Sequence, residues 1–318
     1  MDLNDTVGFP QLQSGRPLRL IAVKRLILAC LFLPSMAPAA ETIGIVTMQE
    51  GGATLLRGAS RYVVAEGVRL VQGDVLELAD KAFSQVEFSD GTIVGLGPQS
   101  RFLALSYPPG GARSSGGGEL FLLRGWMKLV SAPQKGRTVE RYGSPLLELS
   151  PDGTAVMQVL APEAAVFMES GEGRVSQLSG HGKAGDPVRL KTSQFFTCKP
   201  DQRGSVASRP SQGFLGALPR SFMDTLPARA AKFKERNVAP KRSGDFTYAE
   251  VQDWINSVPA VRKAMVSHWQ SKLADPAFRS AIAAGIKEHP EWDRLINPEK
   301  YQEPLTNRSG QSQLSGNR

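Results

Sequence analysis

The residues of this sequence that could carry out acid–base, nucleophilic or metal chemistry are few and scattered. The chain of 318 residues contains two cysteines and three histidines, His181, His268 and His289. The histidines have neither the spacing of metal ligands nor a nucleophile beside them, and such chemistry requires one or the other. Cys198 has no histidine near it in the sequence. A buried thiol in a strand is therefore favoured over a nucleophile.

Carboxylates offer a second source of chemistry, because a pair of them can act as general acid and general base. Asp74, Asp80, Glu87 and Asp90 fall within one short stretch of the chain. Asp74 and Asp90 each stand next to a glycine, and turn formation already explains aspartate at such positions. Sequence spacing does not pair any two of these carboxylates. We therefore expect no catalytic residue, no bound metal, no cofactor and no enzymatic activity.

The first 39 residues have the pattern of an export signal. Four basic residues and no acidic residue occur in residues 16–25, an apolar run fills residues 26–33, and an Ala-x-Ala ending follows. This pattern predicts a signal peptide that is cleaved after Ala39, and hence a periplasmic or secreted protein without a transmembrane anchor. Eight apolar residues are too few to span a bilayer. A lipid attached to Cys30 and an uncleaved anchor are the alternatives.

Cleavage would also change the charge and the thiol content of the chain. The whole sequence has 38 basic and 30 acidic residues and a net charge of +8; loss of four basic and two acidic residues would leave +6. Cys198 would be the remaining thiol, so an internal disulfide is not expected.

A large part of the positive charge lies in residues 229–242. The basic residues of this stretch are Arg229, Lys232, Lys234, Arg236, Lys241 and Arg242. They predict a patch for an acidic partner protein or an anionic envelope surface. A solvated linker with scattered charge is the alternative. Nucleic acid is not an expected partner, because the protein is expected to be exported.

Between Ile43 and Cys198 the sequence consists of short β-type runs separated by turn residues. A spacing of about 8–12 residues between runs is typical of an antiparallel sandwich or barrel. Asp-Gly pairs at residues 90–91 and 152–153 predict hairpin turns. The fold class is therefore expected to be mainly β, with a first β domain over residues 40–132 and a second β unit over residues 133–200.

The C-terminal third of the chain changes to a helical pattern. Residues 201–244 are predicted to be a linker that includes the basic stretch, residues 245–302 a three-helix module, and residues 303–318 a disordered tail. Thr247 and Glu250 fit a capping box at the first helix. Asp275 followed by proline predicts a later helix start.

The β region resembles the FecR domain, the periplasmic sensor domain of iron-siderophore signalling proteins. The resemblance covers residues 43–130 and consists of a Gly-Asp turn, an alternating strand and an Asp-Gly-Thr hairpin in that order. The signature turn residues are Gly73, Asp74, Asp90, Gly91 and Thr92. Family members that act as anti-sigma factors place a cytoplasmic domain and a transmembrane helix before this domain. Here a cleavable signal is predicted in that place.

The resemblance implies a non-catalytic module of the cell envelope that binds or scaffolds an envelope protein. Such contact could use an edge strand or a groove between sheets. The alternative is a carbohydrate- or peptidoglycan-binding module, which would need exposed aromatic side chains on one face, and a hydrolase is a third possibility. The sequence has only four tryptophans and five tyrosines for a sugar-binding surface.

Overall fold

A computed structural model describes residues 41–107, 118–131, 141–180 and 182–301. Several parts of the sequence lie outside these residues: the predicted signal peptide with Cys30, the glycine-rich segment before Gly118, His181 and the predicted C-terminal tail. Within the described ranges, no helix is both long enough and apolar enough to cross a membrane.

Strands are the main elements of the described chain, at 45% of residues against 24% for helices, so the predicted mainly β class is confirmed. In chain order the strands are β1 (Thr42–Glu50), β2 (Ala53–Arg57), β3 (Ser60–Val63), β4 (Arg69–Val71), β5 (Val75–Leu78), β6 (Phe83–Phe88), β7 (Ile93–Leu96), β8 (Arg101–Ser106), β9 (Glu119–Val130), β10 (Arg141–Gly143), β11 (Leu147–Leu160), β12 (Glu163–Gln177), β13 (Val188–Lys191), β14 (Phe195–Lys199), β15 (Gln202–Ala207) and β16 (Lys241–Asp245).

The strands join in one large mixed sheet that does not close into a barrel. Its longest path runs β15-β14-β12-β11-β10-β9-β8-β5-β2-β3-β16, and β1, β4, β6, β7 and β13 pair beside this path. Among the described strand pairs, β10 and β9 are parallel, with Arg141 opposite Glu119, and the others are antiparallel. The expectation of a purely antiparallel sheet is corrected at this pair.

The sheet curls around an inner apolar core, and its outward residues face two further apolar clusters. In β8, Phe102 and Ala104 belong to the inner core, whereas Leu103 and Leu105 belong to an outer cluster. This division follows from the period of two, which sends successive side chains to opposite faces. A strand that is covered on both faces has a continuous run of apolar residues in its sequence, and β8 has such a run.

The helices cover the outer faces of the sheet. They are α1 (Gln212–Ala217), α2 (Tyr248–Ile255), α3 (Pro259–Trp269), α4 (Pro276–Ala284) and α5 (Asp293–Ile296), with short 3-10 turns between them. Helices α2 to α5 pack on the face that carries Val75 and Leu103. Residues 211–228, the crossing segment, lie on the other outer face against Trp126 and Phe195.

Two local expectations from the sequence are confirmed at helix starts. The Glu250 carboxylate accepts hydrogen bonds from the backbone N–H (2.7 Å) and hydroxyl (2.9 Å) of Thr247 at the start of α2. Asp275 accepts from the N–H groups of Ala277 (3.0 Å) and Phe278 (3.4 Å) at the start of α4. Both interactions satisfy groups that the first helical turn leaves unpaired.

The hairpin turn expected at Asp152 and Gly153 is wrong. Both residues lie inside β11, which pairs with β12 along its whole length. Gly153 (φ +129°) stands opposite Gly171 (φ +75°), and the register shifts at the next residue pair. The two glycines therefore accommodate a β-bulge, which needs the same backbone freedom as a turn. The chain reverses at residues 161–162 instead.

Candidate functional site

Cys198 and His289, two of the residues considered for nucleophilic and acid–base chemistry, are buried in the fold. Cys198 is buried in β14, where burial raises the pKa of its thiol to about 11. His289 is fully buried, with Nδ1 3.1 Å from Asn256 Oδ1 and Nε2 3.0 Å from the Ile282 carbonyl in the last turn of α4. A thiol held protonated is a poor nucleophile. The ring of His289 links three helical segments.

Metal ligands do not converge in the part of the chain that the structure describes. No three histidine, cysteine, aspartate or glutamate side chains there lie close enough to hold an ion. Of the four carboxylates considered above, Asp74, Glu87 and Asp90 accept hydrogen bonds from backbone N–H groups and so fix the backbone. The fourth, Asp80, accepts a hydrogen bond from the side-chain amide of Gln99 (2.6 Å).

The Gly73-Asp74 turn between β4 and β5 is built around a buried carboxylate. Asp74 is 1% exposed and accepts from Nε (2.8 Å) and Nη2 (2.6 Å) of Arg57 and from the N–H of Val71 (2.8 Å). Burial raises the pKa of Asp74 above its ordinary value, and the Arg57 guanidinium opposes that shift. Gly73 has a φ of +87°, and its missing side chain leaves the space taken by the His268 imidazole.

The Asp90-Gly91-Thr92 turn between β6 and β7 is fixed by its own side chains. Asp90 accepts from the N–H of Thr92 (2.8 Å) and from the Thr92 hydroxyl (3.2 Å). Gly91 has a φ of +90°, as the hairpin turn requires. All five signature residues therefore shape two turns.

Residues 229–242, the basic segment, are attached to the sheet at both ends. At one end, Glu87 accepts hydrogen bonds from the backbone N–H groups of Arg229 (2.6 Å) and Ala230 (2.9 Å). At the other end, Lys241 and Arg242 lie in β16, which pairs with β3. Between them Phe233 is buried. The segment predicted as a linker is thus held along the edge of the fold.

The six cations of the basic segment have few partners. Arg242 pairs with Asp245 (2.6 Å), and the Arg236 guanidinium lies 5.7 Å from the centre of the Phe233 ring. The side chains of Lys232, Lys234 and Lys241 are exposed and form no ion pair with the described residues. A carboxylate-rich or otherwise anionic surface could therefore approach these ammonium groups without displacing an existing partner.

Three buried polar residues anchor the crossing and basic segments, and two of them, Lys128 and Gln85, are not among the candidate residues of the sequence analysis. The Lys128 ammonium, 3% exposed, donates to the carbonyls of Phe222 (2.7 Å) and Asp224 (3.1 Å) and pairs with Glu169. Gln85 Nε2 donates to the Pro227 carbonyl (2.8 Å), two residues along the strand from Glu87. For Gln85 and Glu87, the signal in the sequence is the alternation of polar and apolar residues along β6.

Aromatic side chains do not form an exposed platform on the described surface. All four tryptophans are buried, and Tyr301 is the exposed aromatic among the large apolar side chains of the described residues. A sugar-binding face stacks exposed rings against the ligand. The described surface thus lacks the feature that the carbohydrate-binding alternative needs.

Comparisons with known proteins identify no family. No family model and no curated protein match the chain. Two crystal structures of a candidate anti-sigma factor from Parabacteroides distasonis, at 2.50 Å and 1.65 Å resolution, are similar to it. The first has a TM-score of 0.37 and 14% identity over 45% of this chain and 64% of that chain. The second has a TM-score of 0.36 and 14% identity over 43% and 61%. The chain therefore spans less than two thirds of that protein.

Proposed function

We propose that this chain is an exported, FecR-like binding module of the bacterial cell envelope, and that it acts without catalysis by contact with an acidic partner protein. The basic segment is the proposed contact surface. The observation that carries the proposal is that Lys232, Lys234 and Lys241 are exposed without ion-pair partners in the described chain, on a segment whose backbone is fixed.

A fixed backbone matters because a flexible basic linker would lose conformational freedom on binding. Glu87 and the β3–β16 pairing already order the two ends of the segment. The conformational entropy of the basic segment is therefore largely lost during folding rather than during association. Exposed charges of one sign also speed the approach of an oppositely charged protein, and salt weakens this effect.

The FecR-like and envelope parts of the proposal rest on the sequence. The order of the Gly-Asp turn, the alternating strand and the Asp-Gly-Thr hairpin supports the family, and the pattern of the first 39 residues supports export. Fractionation of the native host, followed by N-terminal sequencing of the purified protein, tests export. We expect a periplasmic or secreted chain that begins at Ala40; a cytoplasmic chain that retains its first residues would contradict it.

A crosslinking pull-down from periplasm tests the contact surface. The variant Lys232→Glu/Lys234→Glu/Lys241→Glu should lose the crosslinked protein that the wild type recovers, and higher salt should reduce recovery by the wild type. The matched control Arg124→Glu/Arg174→Glu/Lys183→Glu reverses three other exposed cations and should keep it. Recovery of glycan strands with no protein, or equal loss in both variants, would contradict the proposal.

A further inference from the structure

A cavity of about 250 Å³ lies on the outer face of the sheet, over β9, β10 and β11. Its floor follows one row across these strands, because Gly143 pairs with Phe121 of β9 and with Glu148 of β11. Residues that pair directly point to the same face, and Phe121 belongs to an outer apolar cluster. Since Gly143 has no side chain, the floor between Phe121 and Glu148 is low.

The walls of the cavity come from parts of the chain that are remote from this row. One wall is the loop after β12, with Leu178 and Gly182, and another is the start of α3, with Val258, Pro259 and Ala260. The two walls come together at Gly182, where an added Cβ would lie 3.3 Å from Pro259 Cδ. The sheet, the loop and the helix thus enclose a cavity that remains partly open to solvent.

The lining of the cavity is negatively charged. Glu148 and Glu119, which is two residues before Phe121 on β9, contribute carboxylates, and among the described residues no basic side chain lines the cavity. The Glu148 side chain forms no ion pair or hydrogen bond with the described chain. Glu119 lies 3.5 Å from Arg141, whose side chain is 57% exposed. The start of a helix such as α3 carries a partial positive charge of only about half a unit, so the two carboxylates dominate.

We propose that this cavity receives one basic side chain, arginine or lysine, of a partner polypeptide. The volume fits a single side chain, because pockets that enclose whole ligands usually have about 300–1,000 Å³. The apolar side chains of the walls match the aliphatic stem of a basic residue, and the carboxylates match its charged end. Glu148 is the main charged contact, since Arg141 already shares Glu119. The site is opposite in charge to the basic segment and has no residue in common with it.

Binding of one isolated side chain should be weak and should depend on its charge. A cation of this size has few atoms that contact the walls, and removing water from the carboxylates opposes the electrostatic gain. We expect a dissociation constant on the order of 1 mM for the isolated side chain. A partner protein adds contacts outside the cavity, so this side chain serves as one anchor of a larger interface.

Titration of the isotope-labelled protein with butylguanidinium, followed by nuclear magnetic resonance, measures this binding. Butylguanidinium has the stem and the charged end of an arginine side chain, and butylurea has nearly the same shape without the charge. The backbone amide signals of Gly143, Glu148 and Ala260 should shift with butylguanidinium. Butylurea should bind at least about tenfold more weakly.

Two pairs of variants locate the bound cation. Glu148→Gln should weaken butylguanidinium binding at least about tenfold, whereas the control Glu172→Gln, which removes an exposed carboxylate outside the cavity, should not. Ala260→Phe fills the cavity from its helical wall and should abolish binding. Its control is Ala277→Phe, because both alanines are exposed and follow the proline at the start of a helix, and Ala277 does not line the cavity. Circular dichroism on each variant checks that it is folded.

Peptides distinguish a side chain of a polypeptide from a free small molecule. A pentapeptide of glycines with a central arginine and capped ends should bind about as tightly as butylguanidinium, and the same peptide with glutamine should not bind. Free arginine that binds at least about tenfold more tightly than the capped peptide would overturn the inference in favour of a small-molecule site. Equal binding of butylguanidinium and butylurea, or unchanged binding in Glu148→Gln or in Ala260→Phe, would also overturn it. None of these results affects the proposed role of the basic segment, since no variant changes a residue of that segment.

Discussion

The imidazole of His268 lies over Gly73, at the turn that joins β4 to β5. A side chain added at Gly73 would overlap the imidazole. The next residue, Asp74, also interacts electrostatically with His268. The Gly-Asp turn of the sequence signature is thus the surface on which helix α3 packs, and the absence of a side chain at Gly73 permits that packing.

Gly73→Ala should destabilise the protein by about 2 kcal/mol or more. An alanine at a φ of +87° carries backbone strain, and its Cβ collides with the imidazole. Chemical denaturation measures the change in the free energy of unfolding. His268→Ala in the same chain removes the collision but not the strain, so the double variant should recover part of the loss. Equal losses in the single and double variants would show that the imidazole does not limit the space at Gly73.

The stability of the protein should depend on the charge of His268 in mildly acidic solution. Burial lowers the pKa of His268 below its ordinary value of 6.5, and the nearby Asp74 opposes this shift. Because the unfolded chain binds the proton more readily, the stabilising contribution of neutral His268 is present above pH 6.5. It is lost as pH falls from 6.5 through the lowered pKa, by at most about 1.4 kcal/mol per pH unit.

The comparison of wild type with His268→Gln isolates this contribution. As pH falls below 6.5, the free energy of unfolding of the wild type should decrease relative to that of the variant. Above pH 6.5, the difference between the two should stay constant. The variant is needed because burial raises the pKa of Asp74, so that Asp74 changes the free energy of unfolding with pH in the direction opposite to His268. A difference that does not change with pH would mean that His268 titrates alike in the folded and unfolded chain.

Lys128→Met should release the crossing segment from the sheet. The ammonium supplies hydrogen bonds to the carbonyls of Phe222 and Asp224, and the Glu169 carboxylate would remain without its partner. We expect a loss of about 3 kcal/mol in the free energy of unfolding. Hydrogen exchange should rise in residues 211–228 more than in β11. The control Lys199→Met, which removes an exposed pair with Glu163, should change stability by less than about 0.5 kcal/mol.

Local sequence signals predicted the helix starts, because each depends on a few adjacent residues. Thr247 with Glu250, and Asp275 with its proline, act within one helical turn. The period of two along a strand likewise predicts that Gln85 and Glu87 share one face of β6. It could not predict what covers that face, because the partners, Pro227 and Arg229, are remote in sequence. For the same reason the linker interpretation of residues 201–244 lacked the contacts that hold this stretch to the sheet.

The position of the helices on the sheet depends on another pair of remote elements. Arg101, 7% exposed, donates to Glu77 Oε1 (2.8 Å), Asp253 Oδ2 (2.8 Å) and the Glu250 carbonyl (2.8 Å). Its guanidinium also lies 5.5 Å from the centre of the Trp254 ring. One planar group thus ties β5 and β8 to α2. The sequence shows Arg101 only as one charged residue at the start of an apolar strand.

Arg101→Lys should therefore be costly although it conserves the charge. A single ammonium group cannot reach three acceptors in the directions that the guanidinium serves, so at least one of Glu77, Asp253 and the Glu250 carbonyl loses its hydrogen bond. We expect about 2 kcal/mol less stability and a change in tryptophan fluorescence as the surroundings of Trp254 loosen. The matched control is Arg61→Lys, since Arg61 pairs with Glu250 on the surface of the same helix. It should cost less than about 0.5 kcal/mol. Similar losses of stability in the two variants would show that positive charge, rather than the set of hydrogen bonds from the guanidinium, attaches α2 to the sheet.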